Sequence, residues 1–144
     1  MSAKDKRQTE IRRIVRTARP ATQAELAALL GEQGFDVTQT TVSRDLTDLG
    51  LRKAPDGRYE LAEDLHLKRM CADLVQSVER SANLIIVKTF AGTAEGVGAA
   101  LDAAAHDGVL GCVAGDDTLL VVTRDAGAAE AVTIMLRTYS RKDS

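Results

Sequence analysis

The apolar positions of the first fifty residues fall into three successive helical patterns. In the first pattern the apolar side chains have the i, i+3, i+4 and i+7 spacing of one helix face, at Ile11, Ile14, Val15 and Ala18. Pro20 ends this helix, because the residue before a proline avoids helical geometry. A second helix begins at Thr22, which forms a capping-box pattern with Glu25, and stops near Gly31 and Gly34. Its inner face consists of Leu26, Leu29 and Leu30.

The third helix begins near Thr38 and ends at Gly50, and its outer face differs from that of an ordinary solvated helix. Its buried face consists of Val42, Leu46 and Leu49. At 100° per residue, the opposite face carries short hydroxylic and cationic side chains, which are Thr40, Ser43, Arg44 and Thr47. Small residues allow close approach to a DNA major groove, an arginine spans guanine acceptors, and hydroxyls bond phosphate oxygens. This face predicts a recognition helix, to whose contacts we add Gln39 and Thr41.

Two short runs around a tight turn follow Gly50. Leu51–Lys53 and residues 58–61 flank the sequence APDG, and Asp-Gly between such runs is typical of a β-hairpin. Two helices, a recognition helix and a basic hairpin make a winged helix-turn-helix. We expect basic side chains of the hairpin and the first helix to lie near DNA phosphates, namely Arg52, Lys53, Arg58, Lys6, Arg7 and Arg12. The alternative is that the hairpin only covers the core of the helices and that its charges are solvated.

Strand and helix patterns are interleaved in the second half of the chain. The expected strands are residues 74–79, 84–90, 109–114 and 118–123, and the expected helices are residues 93–106 and 126–139. This order predicts a small α/β sandwich in which one layer of helices covers a sheet. The expected fold class is therefore α/β (α+β). We expect a winged helix-turn-helix at residues 1–62, a linker at 63–72 with room for a turn or two of helix, and an α/β domain at 73–144.

Charge is distributed unevenly along the 144 residues. Residues 1–60 contain eleven Lys and Arg against nine Asp and Glu, whereas residues 61–144 contain eight against twelve. A basic first half and an acidic second half suggest that one part binds a polyanion and the other a different partner. No run approaches the roughly 18 apolar residues of a membrane span, and the charged N-terminus lacks a signal-peptide core. We therefore expect a cytoplasmic protein without membrane contact.

Two features of the second half bear on binding chemistry. Cys71 and Cys112 have no CxxC partner or nearby histidine, so they are expected to be buried thiols and no metal site is expected. Asp116 and Asp117 are adjacent carboxylates in a turn between two apolar strands, and their mutual repulsion favours a cationic partner. A solvated Asp-rich turn remains an alternative. Catalysis or Mg²⁺ binding is less well supported, because no histidine, lysine nucleophile or further carboxylate cluster is adjacent.

Three segments, TQTTVSRDLTDLGLRK, GTAEGVGAALD and GVLGCVAGDDTLLVV, together resemble the bacterial arginine repressors, and the resemblance extends from about residue 4 to 140. It implies a winged-helix DNA-binding domain and an α/β domain that trimerises. It further implies a homohexamer of two trimers, with L-arginine bound between the trimers as corepressor. Such proteins are not enzymes. They repress arginine biosynthesis genes at palindromic operators, and in some bacteria they activate arginine catabolism.

Carried onto this sequence, the resemblance implies that Asp116 and Asp117 bind the guanidinium of arginine. Asp102 and the backbone around Ala114 would hold the other end of the amino acid. A carboxylate accepts the planar guanidinium fork bidentately, which distinguishes arginine from lysine. Two further expected ligand-site residues depart from the family pattern: Glu95 stands where relatives often have Gln, and Cys112 where several have Thr. Glu95 is able to bind the amino group of the ligand but would repel its carboxylate.

Two alternatives to an arginine-responsive repressor remain open from the sequence. One is a regulator of the same architecture that senses citrulline, ornithine or lysine. The other is a metabolite-binding module or enzyme whose winged helix serves only for dimerisation. Arginine-dependent retardation of a promoter fragment would support the repressor, whereas turnover without DNA affinity would support the last alternative.

Overall fold

The computed structural model describes residues 1–141, so residues 142–144 of the expected second domain lie outside the described residues. The chain divides into two compact units, Met1–Ala62 and Glu63–Ser144. Each unit has its own hydrophobic core. The α/β (α+β) class expected from the sequence is confirmed. No helix within residues 1–141 combines the length and apolar character needed to cross a bilayer.

The first unit contains three helices followed by a two-stranded antiparallel hairpin. The helices are α1 (Ala3–Thr17), α2 (Gln23–Glu32) and α3 (Gln39–Asp48), and the strands are β1 (Leu51–Lys53) and β2 (Tyr59–Leu61). Thr22 and Thr38 cap α2 and α3 as expected, each accepting the backbone N–H three residues later. Three helices followed by this hairpin form a winged helix-turn-helix.

The core of the first unit is formed by the expected faces of its helices, with one exception. Its fully buried members include Ile11, Leu26, Leu30 and Val42. Ala18, expected on the apolar stripe of α1, is instead exposed. It is the C-cap residue of α1, where the chain leaves the helix, so the i+7 position of the pattern lies beyond the buried face.

The second unit is a four-stranded antiparallel sheet with helices against one face. Its helices are α4 (Ala62–Leu74, which begins at the boundary), α5 (Ala94–Ala104) and α6 (Ala126–Ser140). The strands are β3 (Val75–Ser81), β4 (Leu84–Thr89), β5 (Val109–Ala114) and β6 (Thr118–Thr123), in the spatial order β3-β4-β6-β5. Alternate residues of the central strands, Ile85, Val87, Leu119 and Val121, are fully buried in the core.

Residues 63–72, expected to form a linker with room for a turn or two of helix, all belong to α4. Leu67 and Cys71 lie one helical turn apart, and both are fully buried in the core of the second unit. The charged residues between them hide this spacing in the sequence. Burial of these two side chains explains why the segment is a continuous helix.

Candidate DNA-binding and ligand-binding sites

The N-terminal half of α3 borders a polar groove on the first unit. The groove has a volume of about 360 Å³ and is lined by Gln23, Gln39, Thr40, Ser43 and Arg44. Thr40, Ser43 and Arg44 were expected from the helical wheel and Gln39 was added to them, and all four are exposed. Gln23 was missed: it is the first residue of α2, directly after the N-cap Thr22, and nothing in the local sequence places it beside α3.

Two other hydroxyls expected at this surface form local hydrogen bonds. Thr41 Oγ1 lies 3.0 Å from Thr38 Oγ1 and so takes part in the cap of α3. Thr47 Oγ1 donates to the carbonyl of Ser43, one turn earlier, at 3.3 Å. Thr47 remains on the exposed face of the helix, whereas Thr41 is half-buried. The structure therefore assigns Thr41 a capping contact within its own helix.

The structure separates the basic side chains expected to contact DNA into two groups. Lys6, Arg44 and Arg52 are exposed and form no ion pair with an acidic side chain in the part of the chain that is described. Arg7 is different, because Nη2 donates to Asp45 Oδ1 of α3 at 3.0 Å and Nε donates to the other carboxylate oxygen. Arg12 is not free either, because it also has an interaction partner.

Two basic side chains of the hairpin bind carbonyl groups of the first unit. Lys53 Nζ donates to the carbonyls of Ala21 and Gly57 and lies 4.4 Å from the centroid of the Tyr59 ring. Arg58 Nη1 donates to the carbonyl of Arg19 at 2.7 Å. Both side chains remain exposed, so their positive charges can still act on groups outside the protein. They are nevertheless held by local partners, and this distinguishes them from Arg52.

The acidic pair expected to bind a cation lies in the turn between β5 and β6. The side chains of Asp116 and Asp117 are both exposed. Their backbone is anchored, because the carbonyl of Asp116 accepts the N–H of Gly92 at 3.0 Å and that of Asp117 accepts the N–H of Thr89 at 2.8 Å. These bonds attach the turn to the end of β4 and to the loop before α5. The two carboxylates therefore project from a fixed backbone.

One lysine reaches this turn through a hydroxyl group. Lys88 Nζ donates to Thr118 Oγ1 at 2.7 Å, and that hydroxyl donates to Asp117 Oδ1 at 3.0 Å. The lysine is thus linked to the carboxylate indirectly. Both oxygens of Asp116 and the second oxygen of Asp117 form no hydrogen bond within residues 1–141, and they remain available to an external donor.

Asp102 and Cys112 lie together at the interface of α5 and β5. Cys112 Sγ is 3.5 Å from Asp102 Oδ1 and 3.7 Å from the carbonyl of Gly98. Burial, followed by the charge of Asp102, raises the pKa of the Cys112 thiol to about 11, so the group is a neutral donor at physiological pH. Asp102 also lines a cavity of about 240 Å³ with His106 and Leu110.

The other expected ligand-site residues occupy the ends of the same two elements. Glu95 is exposed in the first turn of α5, and Ala114 is the exposed last residue of β5. Asp102 lies in α5, whereas Asp116 and Asp117 lie in the turn between β5 and β6. Within residues 1–141 there is no group of three or more His, Cys, Asp or Glu side chains that could hold a metal ion.

A winged helix with an exposed cationic recognition face, on a chain whose second unit is a separate α/β sandwich, defines a DNA-binding transcriptional regulator. Residues 2–66 match the family described as arginine repressor, DNA binding domain, and residues 71–138 match arginine repressor, C-terminal domain. The chain belongs to the arginine repressor family, as the sequence resemblance predicted.

Relatives named arginine repressor are similar to the chain over most of its length. The chain is 46% identical to that of Halothermothrix orenii over 132 residues, which cover 84% of this chain and 88% of the relative. It is 40% identical to that of Symbiobacterium thermophilum over 148 aligned positions, covering 96% and 99%. It is 43% identical to that of Thermus thermophilus, covering 92% and 87%.

Proposed function

We propose that this chain is a cytoplasmic, arginine-dependent transcriptional regulator that represses arginine biosynthesis genes. It binds palindromic operator DNA as a homohexamer of two trimers, with L-arginine as corepressor. The relatives named arginine repressor support this proposal, because their similarity spans both units of the chain. The groove beside α3 and the exposed Arg44 support DNA as the macromolecular partner.

The observation that carries the proposal is the anchored pair of carboxylates at Asp116 and Asp117. A guanidinium is a planar cation with five donors, and it suits carboxylate acceptors whose backbone does not have to be reorganised. Citrulline has the same shape but no charge. Ornithine and lysine carry a compact ammonium that cannot form the same fork. The pair therefore favours arginine over each of the other metabolites considered.

The open face of the sheet supports the proposed oligomer. Ile86 pairs with Leu120, and Leu84 pairs with Val122, so these side chains share a face opposite to the buried core residues. Val113 pairs with Leu120 on the same face and is 69% exposed. Contiguous apolar surface of this kind is typical of a protein interface. We propose that further copies of this chain cover it in the trimer.

Arginine would then act at the junction between trimers. We propose that the trimer holds its copies of Asp116 and Asp117 near the three-fold axis, so that two facing trimers would bring like charges together. Bound arginine neutralises this repulsion and so favours the hexamer. By linkage, the hexamer must also raise the affinity for arginine.

Calorimetric titration of the purified chain with arginine, citrulline, ornithine and lysine tests the ligand. We expect arginine to bind most tightly. Equal or tighter binding of another of these metabolites would instead favour a regulator with a different effector. Binding of none of them, together with turnover of a metabolite and no DNA affinity, would favour the enzyme alternative.

A further inference from the structure

Asp45 of the recognition helix is one of the most completely buried charged residues of the first unit. Asp45 is 1% exposed, although its neighbour Arg44 faces solvent. The carboxylate accepts three hydrogen bonds from α1: two from the guanidinium of Arg7 and one from Gln8 Nε2 at 3.1 Å. A buried carboxylate with this many donors is held in one position.

The electrostatics of this contact agree with its geometry. Burial is the largest influence on Asp45 and by itself raises the pKa, but hydrogen bonds from Arg7 and Gln8 and the charges of Arg7 and Lys4 outweigh it. The net result is a lowered pKa. For Arg7 the direction is opposite, because its hydrogen bond to Asp45 raises its pKa. Both groups are therefore charged throughout the physiological pH range.

The ion pair joins two helices that are otherwise not close neighbours along their backbones. Both α1 and α3 pack extensively against α2, whereas direct backbone contact between α1 and α3 is sparse. A second ion pair, between Lys4 Nζ and Asp48 Oδ2 at 3.3 Å, spans the same two helices but is about half-exposed. An exposed pair of this kind contributes little. The buried pair is therefore the stronger of these two links between α1 and α3.

We propose that Arg7 and Asp45 form a positioning clamp, which fixes the orientation of α3 so that Ser43 and Arg44 face the DNA groove. The inference rests on the proposed DNA-binding function. It replaces the sequence-based expectation that Arg7 contacts phosphate. The guanidinium fork matters because two parallel hydrogen bonds restrain both the distance and the rotation of the carboxylate. Arg7 thus acts through Asp45.

The test compares operator preference with salt dependence. The operator is a fragment that the wild-type chain selects from a random-sequence DNA pool in the presence of L-arginine, and the competitor is a scrambled fragment of equal length. The variants are Arg7→Met, Asp45→Asn and the double variant. Lys6→Met is the matched control, because Lys6 is the exposed cation next to Arg7. Anisotropy is measured at several salt concentrations and at a temperature where circular dichroism shows each variant folded.

For the clamp, we expect each single substitution to reduce the ratio of scrambled to operator Kd about tenfold, since a displaced Arg44 no longer bonds its base fully. The Kd ratio of the double variant should be no lower than the lower of the two single-variant ratios, because both substitutions remove the same ion pair. The salt slope of Arg7→Met should equal that of the wild type. Lys6→Met should weaken binding to both fragments equally and reduce the slope by about 0.9 for each phosphate that is no longer neutralised.

Three results would overturn the clamp. The first is Arg7→Met behaving as Lys6→Met does, which would make Arg7 a phosphate ligand. The second is a wild-type ratio of scrambled to operator Kd in Asp45→Asn. The pair would then serve only the stability of the fold, because a smaller folded fraction lowers both affinities equally and leaves their ratio unchanged. If the Met or Asn variants do not fold, Arg7→Lys is measured instead, because lysine keeps the charge without the guanidinium fork. The third contradicting result is a wild-type Kd ratio in Arg7→Lys. Failure of the wild type to select any DNA would refute the DNA-binding function itself.

Discussion

Replacing Asp117 by Asn tests the proposed guanidinium site with little change of shape. An amide oxygen can still accept the hydroxyl of Thr118, which lies 3.0 Å from the carboxylate, so the turn should keep its conformation. The substitution removes the charge and replaces one acceptor oxygen by an NH₂ donor, so the guanidinium fork loses one acceptor. A hydrogen bond to a charged group contributes about 1.5–3 kcal/mol, and because Asp117 is exposed in the single chain we take about 1.5–2 kcal/mol. We expect arginine to bind about 10- to 30-fold more weakly.

Citrulline and a control variant make this prediction specific. Citrulline carries no charge, so its affinity should fall only about two- to fivefold, as for a neutral hydrogen bond of about 0.5–1 kcal/mol. The ratio of arginine affinity to citrulline affinity should therefore decrease. Asp107→Asn removes the same charge from the second unit at a side chain that is 96% exposed, and it should bind arginine as the wild type does. Calorimetry measures the affinities of the wild type, Asp117→Asn and Asp107→Asn. Arginine affinity in Asp117→Asn equal to that of the Asp107→Asn control would refute the assignment of Asp117.

Three further predictions concern DNA recognition, the assembly and the stability of the second unit. Arg44→Ala should weaken operator binding by about 1–3 kcal/mol for each bidentate guanine contact, with little change for scrambled DNA, and equal weakening on both DNAs in anisotropy titrations would remove Arg44 from base recognition. Arginine should shift dilute protein from trimer to hexamer in sedimentation velocity, and an unchanged mass across a dilution series would contradict the proposed junction. Gly108→Ala should destabilise the second unit by about 2–4 kcal/mol, because φ is +85° and the new Cβ would lie 2.6 Å from that of Ala128. Urea denaturation with a midpoint equal to that of the wild type would contradict this steric account.

The elements that could be predicted from sequence are those whose signals are local. The bounds of β5 and β6 were predicted without error, because two apolar runs flank a Gly-Asp-Asp turn. The caps at Thr22 and Thr38 were also correct, since a cap is defined by residues only three positions apart. For α4, the sequence shows charged residues, and the burial of Leu67 is decided by distant parts of the chain.

The candidate site shows the same limit. A helical wheel identified the exposed face of α3 correctly, because it depends only on the period of the helix. It could not show that Arg7 would meet Asp45, 38 positions away, or that Arg58 would bind the carbonyl of Arg19. Charge counts treat these residues as equivalent to Lys6, whereas their partners arise from tertiary packing.

If arginine controls DNA binding, operator affinity must depend on whether arginine is present. The affinity of the wild-type chain for its selected operator is measured by anisotropy, with and without saturating L-arginine, at fixed salt. Coupling between an effector and a second ligand is typically about 1–3 kcal/mol, so arginine should tighten operator binding by roughly 5- to 150-fold. Ornithine should have a smaller effect. Equal operator affinity with and without arginine, in protein shown by calorimetry to bind it, would contradict the account.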